Sequence, residues 1–164
     1  MQVIQITQDR WQEYRELRLK ALMDNPLAFD SSPKEEGQLS DEEWKEKLHE
    51  PNDFKVFVED NGRLVAKMEV EWNMREKVRH IAEVYGVYID PTYRGQGLGK
   101  MLMDEIERLA KDHGIEKLWL DVVVTQEPAK KLYRKLGFRE IGRTEKSIKV
   151  DGKYYDKLLM EKLL

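Results

Sequence analysis

The chain has 164 residues, a formal net charge of −3, 37% charged residues and no cysteine. That length suits one domain, residues 1–164, with one core. The absence of cysteine rules out disulfides, thiolate metal sites and a cysteine nucleophile, and the small acidic excess argues against a general nucleic-acid binder. In chain order, Val3 to Ile6 reads as a strand. Residues 8–22 place Trp11, Tyr14, Leu17, Leu19, Ala21 and Leu22 near helical spacing, and Asn25-Pro26 ends that helix. Residues 27–33 read as a loop. Ser40-Asp41-Glu42-Glu43 is a capping box for a helix to about Leu48. Strands at 54–59 and 64–72 flank Asp60-Asn61-Gly62, a hairpin signal, and a turn near Arg75 leads to a long strand over 78–89. A helix from Leu98 carries Met101, Leu102, Ile106, Leu109 and Ala110 on one stripe and stops at His113-Gly114. Leu118 to Val124 is apolar enough for a strand buried on both faces. Pro128 sits in the first turn of the next helix, Gly137 ends it, and two strands flank Asp151-Gly152.

The most informative run is Val87-Tyr88-Ile89-Asp90-Pro91-Thr92-Tyr93-Arg94-Gly95-Gln96-Gly97-Leu98-Gly99-Lys100, a strand, a glycine turn and a helix start. Such a turn offers successive backbone N–H groups at a helix N-terminus, where the dipole also favours an anion. Glycine lets the backbone take conformations closed to residues with a Cβ. The physical reading is a pyrophosphate cradle, with Arg94 and Lys100 adding charge beside it. A Walker A loop is excluded, because Gly99-Lys100 is followed by Met101. A G-x-G-x-x-G dinucleotide fingerprint is excluded, because Gly95, Gly97 and Gly99 alternate.

Arg94-x-x-Gly97-x-Gly99 after a V-Y-I-D-P strand resembles the acetyl-CoA-binding signature of the GCN5-related N-acetyltransferases. Leu120-Asp121-Val122, followed by Ala129-Lys130-Lys131-Leu132-Tyr133-Arg134-Lys135-Leu136-Gly137-Phe138, resembles that family's downstream strand and helix. The two blocks stand in the family's order and together cover residues 81–140. The resemblance implies an α/β (α+β) fold, a mixed and mostly antiparallel sheet with helices on both faces, ordered βααβββαβαββ. It further implies that the fourth and fifth strands splay apart around acetyl-CoA, with no metal.

The resemblance also implies site residues. Tyr133 is the candidate general acid for the CoA sulfur, although Ala129, Leu132, Tyr133 and Leu136 also form an ordinary core stripe. Glu83, six residues before Ile89, is the candidate general base, with an exposed strand carboxylate as the alternative. The backbone of Val87, Tyr88 and Ile89 is implied to bind the pantetheine arm. N–H groups of Arg94, Gly95, Gln96, Gly97, Leu98, Gly99 and Lys100 are implied to hold the pyrophosphate. Gln126 stands where many relatives have asparagine against the pantetheine, and Lys130 is a candidate for the 3′-phosphate. Phe29, Trp72, Tyr85 and Tyr154 fall in regions that shape the family's acceptor site.

The expected reaction is direct acetyl transfer to a primary amine in a ternary complex, since no cysteine can carry an acyl group. A small-molecule amine (polyamine, amino acid-like or drug amine) leads. A protein N-terminus or lysine and a non-catalytic acyl-CoA-binding module are the competing functions. A cytoplasmic protein is expected, possibly a homodimer, with neither nucleic acid nor membrane as a partner. The opening residues are too polar for a signal peptide, and no apolar run approaches the ~20 residues of a membrane span. The Glu- and Lys-rich, cysteine-free composition leans towards a thermophile's.

Overall fold

A computed structural model describes residues 1–164. Its strands are β1 (Gln2–Ile4), β2 (Asp53–Asp60), β3 (Arg63–Trp72), β4 (Ile81–Ile89), β5 (Lys117–Val123), β6 (Arg139–Val150) and β7 (Lys153–Leu163). They form one sheet in the order β1-β2-β3-β4-β5-β7-β6, antiparallel throughout except between β4 and β5. The helices are α1 (Trp11–Asp24), α2 (Pro33–Glu36), α3 (Asp41–Leu48), α4 (Leu98–Asp112) and α5 (Glu127–Lys135).

The helices divide between the two sheet faces because strand residues alternate in direction and each face offers its own apolar set. On one face, Leu102, Ile106 and Ala110 of α4 and Tyr133 of α5 pack with Val56, Met68, Val70, Ala82, Leu118 and Leu120. On the other, Trp11, Tyr14, Leu17 and Leu22 of α1 and Trp44 and Leu48 of α3 enclose Phe57, Leu64 and Tyr88. This second face also carries the charged alternates of the same strands, Asp53, Lys55, Lys67, Glu69, Glu71, Glu83 and Asp121. None of the helices is long and apolar enough to cross a membrane.

Most predicted elements stand where the pattern put them. The Ser40 cap is reciprocal, with Glu43 N donating to Ser40 Oγ at 3.3 Å and Ser40 N to Glu43 Oε2 at 2.7 Å. The Asn61-Gly62 and Asp151-Gly152 turns have the positive φ values such hairpins need, 50° and 78°, and 49° and 77°. Four differences have physical reasons. β1 ends at Ile4, and Ile6 instead turns into the α1–α3 core. Within the end of the predicted loop, Ser32-Pro33-Lys34-Glu35 is a second capping box and starts the four-residue α2. The strand predicted from Val78 starts at Ile81, because Val78 N and Arg79 N both donate to Arg75 O and close a turn. β5 is continuously buried on one face only: Leu118, Leu120 and Val122 point to the core, whereas on the other face Trp119 and Asp121 are half-buried and only Val123 at the strand end is buried.

Candidate active site

β4 and β5 pair in parallel for only three positions, Ile81–Lys117, Ala82–Leu118 and Glu83–Trp119. Beyond Glu83 they part, and a cleft of about 1050 Å³ opens between them. A bulge in β4 produces the divergence. Tyr85 is opposite Glu69 and Tyr88 opposite Lys67, so Gly86 and Val87 have only Met68 to face. Gly86 has φ +60°, and a Cβ there would lie 2.7 Å from Glu69 Oε1 and 3.0 Å from Lys67 Nζ. The fully buried Lys67–Glu69 ion pair thus occupies the space a side chain would need, and only glycine fits. The bulge also reverses the facing of the strand. Glu83 and Tyr85 point to the α1 side, and so does Tyr88 after the extra residue.

One end of the cleft is the glycine turn. Asp90 anchors it, accepting from Thr92 N at 3.0 Å and pairing with Lys20 of α1 at 3.1 Å. Hydrogen bonds from Thr92 and the Lys20 ammonium outweigh the desolvation of Asp90 and hold its pKa down at about 2. Gly95 and Gly97 have φ 77° and 83°, and Gly97 is the N-cap of α4. Lys100 N and Met101 N turn back to Gly97 O at 3.0 and 3.1 Å. The five preceding N–H groups, from Gly95 to Gly99, donate to no group of the protein. Gly99 has a different reason to be glycine: a Cβ would meet Leu132 Cδ1 of α5 at 2.9 Å, so its absence lets α4 and α5 close on each other. Five consecutive free donors at the N-terminus of a 15-residue helix suit a pyrophosphate.

The walls come from β4 on one side and β5 with α5 on the other. Tyr133 is 8% exposed and lines the cleft. Its ring packs edge-on against Phe138 at 6.0 Å, and its hydroxyl has no hydrogen-bond partner in the protein. Burial, with Asp121 nearby, pushes its pKa above the ordinary phenol value, so it keeps its proton. The core stripe and the free hydroxyl are therefore compatible, since the ring packs while the tip faces the cleft. Glu83 lies at the apex of the splay and makes no ion pair. Burial first, then Glu71 and Asp121, push its pKa up to about 7.

The other end of the cleft lies on the α1 side. Phe29 is 7% exposed beneath the Arg18 guanidinium, which stacks 4.9 Å from the ring centroid and pairs with Glu36 at 2.6 Å. Lys157 of β7 reaches across to Asp30 at 2.8 Å and to Asp121 at 3.1 Å. Tyr85 lines the same end, with its hydroxyl 3.5 Å from Asp53 Oδ2. Asp53, Glu71, Asp121 and Lys157 were not singled out by sequence reasoning as site residues. Only strand register brings them to Glu83, and no local motif carries it.

The structure brings Phe29, Glu83, Tyr85, Val87, Tyr88, Ile89, Arg94, Gly95, Gly97, Leu98, Gly99, Lys100, Gln126 and Tyr133 to the cleft. Four predicted residues sit elsewhere with their side chains. Trp72 packs on Phe54 and His113 at 5.6 and 5.1 Å, because its place on β3 turns it to the opposite face. Tyr154, at the β6–β7 hairpin tip, is 51% exposed between Lys146 and Lys149. Lys130 is buried along α5 and pairs with Glu127 rather than facing the cleft. The Gln96 side chain turns back to Thr92 O at 3.4 Å, so only its N–H joins the free row. Tyr88 contributes backbone alone, since its hydroxyl is held by Asp24 at 2.6 Å and Lys20 at 3.0 Å. Lys100 is spoken for by Asp104 at 2.6 Å, and Arg94 donates to Ile89 O at 3.1 Å and makes no ion pair.

Residues 5–138 match the sequence model described as the acetyltransferase (GNAT) family. YwnH of Bacillus subtilis, which carries a provisional phosphinothricin acetyltransferase name, is 34% identical over 115 residues, 70% of each chain. The L-amino acid N-acetyltransferase AaaT of Escherichia coli is 27% identical over 126 residues, 76% of this chain and 77% of its own. Among solved structures, the acetyltransferase of GNAT family from Streptococcus pneumoniae matches with a TM-score of 0.86 and 26% identity, over 99% of both chains.

Proposed function

The chain belongs to the acetyltransferase (GNAT) family, and from that premise we propose that it transfers an acetyl group from acetyl-CoA to the primary amine of a small molecule, by direct attack in a ternary complex. The observation that carries this reading is one cleft with a free N–H row at one end and Glu83 and an unpartnered Tyr133 hydroxyl further in. Acetyl-CoA, when bound, supplies an activated acetyl thioester.

The residues divide the remaining work. N–H groups from Gly95 to Gly99 hold the pyrophosphate, and the splayed edge of β4 at Val87 to Ile89 takes the pantetheine arm as a strand would. The free Gln126 amide, at the start of α5, adds a contact to that arm. Glu83 accepts the proton an ammonium must lose before its nitrogen can attack. A base with a pKa near 7 is both ionised at neutral pH and basic enough to take that proton, directly or through one water. Tyr133 keeps its proton well past neutrality and delivers it to the departing thiolate, which leaves as the thiol. It regains a proton from the nitrogen of the adduct, whose second proton must leave as the amide forms.

The test is thiol release from acetyl-CoA across a panel of amines, with an amine-free control and an acetyl-CoA binding titration. The protein has no cysteine and adds no thiol background. Release that depends on an amine supports the reading. Acetyl-CoA binding with no release for any amine, peptide N-termini and lysines included, contradicts catalysis and leaves a binding module.

A further inference from the structure

Strand register builds a feature into the acceptor end that the transfer reaction does not require. Asp53 of β2 is directly opposite Glu71 of β3, and Glu71 is directly opposite Glu83 of β4. Directly opposed residues share a face, so three carboxylates stand in one row across three strands spaced ~4.8 Å apart. Like charges directly opposite one another destabilise a sheet. The cations of this region are already engaged: Lys55 with Asp53, Lys157 with Asp30 and Asp121, Arg18 and Lys47 with Glu36. Glu71 and Glu83 have no ion-pair or hydrogen-bond partner, and both line the cleft. The Tyr133 hydroxyl, on a side chain more than nine-tenths buried, opens into the same cleft and also lacks a partner. Arg18 and Lys47 also line this end but are held by Glu36, and Lys157 is held by Asp30 and Asp121, so Glu71 and Glu83 are left without a cation and this end carries an acidic excess.

We propose that the acceptor end selects an amine with a second cationic group and no carboxylate, its distal ammonium lying against Glu71 while its reacting amine faces Glu83. The proposal rests on the acetyltransferase reading and narrows its substrate class. Glu83 serves as the base, so it cannot stay a fixed counter-ion throughout the reaction, and Glu71 one strand away fills that place. Asp53, its side chain buried and neutralised by Lys55, closes the row beyond Glu71 and offers no free cation there, so Glu71 and Glu83 remain the uncompensated pair. An acceptor with a carboxylate meets repulsion from the same groups. That separates this chain from an enzyme for free amino acids, the class named for the relative AaaT.

Three four-carbon acceptors test the proposal: 1,4-diaminobutane, n-butylamine and 4-aminobutanoate, whose tails are cationic, neutral and anionic. The expected order of kcat/KM is diamine, monoamine, amino acid, with the diamine at least about tenfold above the monoamine, as one charge-assisted contact provides. In Glu71→Gln the diamine-to-monoamine ratio falls to within about threefold of one, in line with the loss of that contact. Glu71 is exposed and faces two like charges, so its amide variant keeps the fold, which circular dichroism checks. A diamine no better than the monoamine, a preference for 4-aminobutanoate, or a ratio unchanged in Glu71→Gln would overturn the proposal. Reaction with none of the three while acetyl-CoA binds also overturns it and spares the cofactor site. Failure to bind acetyl-CoA overturns the underlying activity as well.

Discussion

The two ends of the cleft are built by different means. The cofactor end is backbone: five N–H groups on one continuous turn, set by Gly95 and Gly97 at positive φ. The acceptor end is side chain: Phe29, Asp30, Glu71, Glu83, Asp121 and Lys157 arrive from separate loops and strands. A backbone cradle tolerates change in most side chains but not in glycine conformation. A side-chain pocket can be rewritten residue by residue while the sheet beneath it stays the same. One fold can therefore keep one cofactor and change acceptors.

The comparison can be broken most sharply at Tyr133, where the ends meet. Tyr133→Phe keeps the ring against Phe138 and removes only the hydroxyl, so kcat should fall about a hundredfold, within the range of a lost general acid. Its acetyl-CoA affinity, measured by titration, should stay within about twofold, because the N–H row is untouched. A fall in affinity with kcat unchanged would move Tyr133 from chemistry to binding.

The cofactor end gives the next effect. Gly97→Ala adds a methyl that meets nothing within 4 Å, so any penalty comes from φ +83° alone. A left-handed non-glycine residue costs ~1–2 kcal/mol, and acetyl-CoA affinity should weaken by roughly tenfold with kcat for a saturating amine little changed. Equal loss for every acceptor is the mark of a backbone cradle. Loss that differs between acceptors would tie the two ends together.

The smallest effect is in stability, and its sign is specific. Glu83 has a folded pKa of about 7, raised from 4.5, so the folded state binds the extra proton between those values. Stability should therefore decline as pH rises from 4.5 to about 7 and stay lower above it. Glu83→Gln removes that penalty, and at pH 8 it should melt several degrees above the wild type, converging with it near pH 4.5. A variant that melts lower at pH 8 would mean the Glu83 carboxylate is compensated by a partner the fold does not show.

The same division explains what the sequence made legible. The glycine turn, the caps at Ser40, the hairpins at Asn61-Gly62 and Asp151-Gly152 and the α4 and α5 stripes all depend on residues a few positions apart. Each could be read locally. Glu83 and Tyr133 were reached through the family resemblance rather than from local pattern alone, and the fold brings both to the cleft. The carboxylate row was not, because Asp53, Glu71 and Glu83 meet only through two strand registers, and one of those strands bulges at Gly86. Trp72 was misplaced for the related reason that its facing follows from the period-2 alternation of β3, not from its nearness to the site in sequence. Tyr154 was misplaced because it lies beyond the three-residue bulge of β6, where the hairpin tip has left the cleft. Lys130 turned on a choice no pattern fixes, between solvent, ligand and the neighbouring Glu127.

The most direct test of the account is the ratio of wild-type to Glu83→Gln kcat/KM for one amine, followed by thiol release from pH 5.5 to 9. Taking the ratio cancels the ionisation of the amine itself. The ratio should be only a few fold at pH 5.5, where nearly all Glu83 is protonated, rising with a midpoint at about 7 to a plateau near a hundredfold. A ratio that stays flat across the range would contradict Glu83 as the base that the whole acceptor end is arranged around.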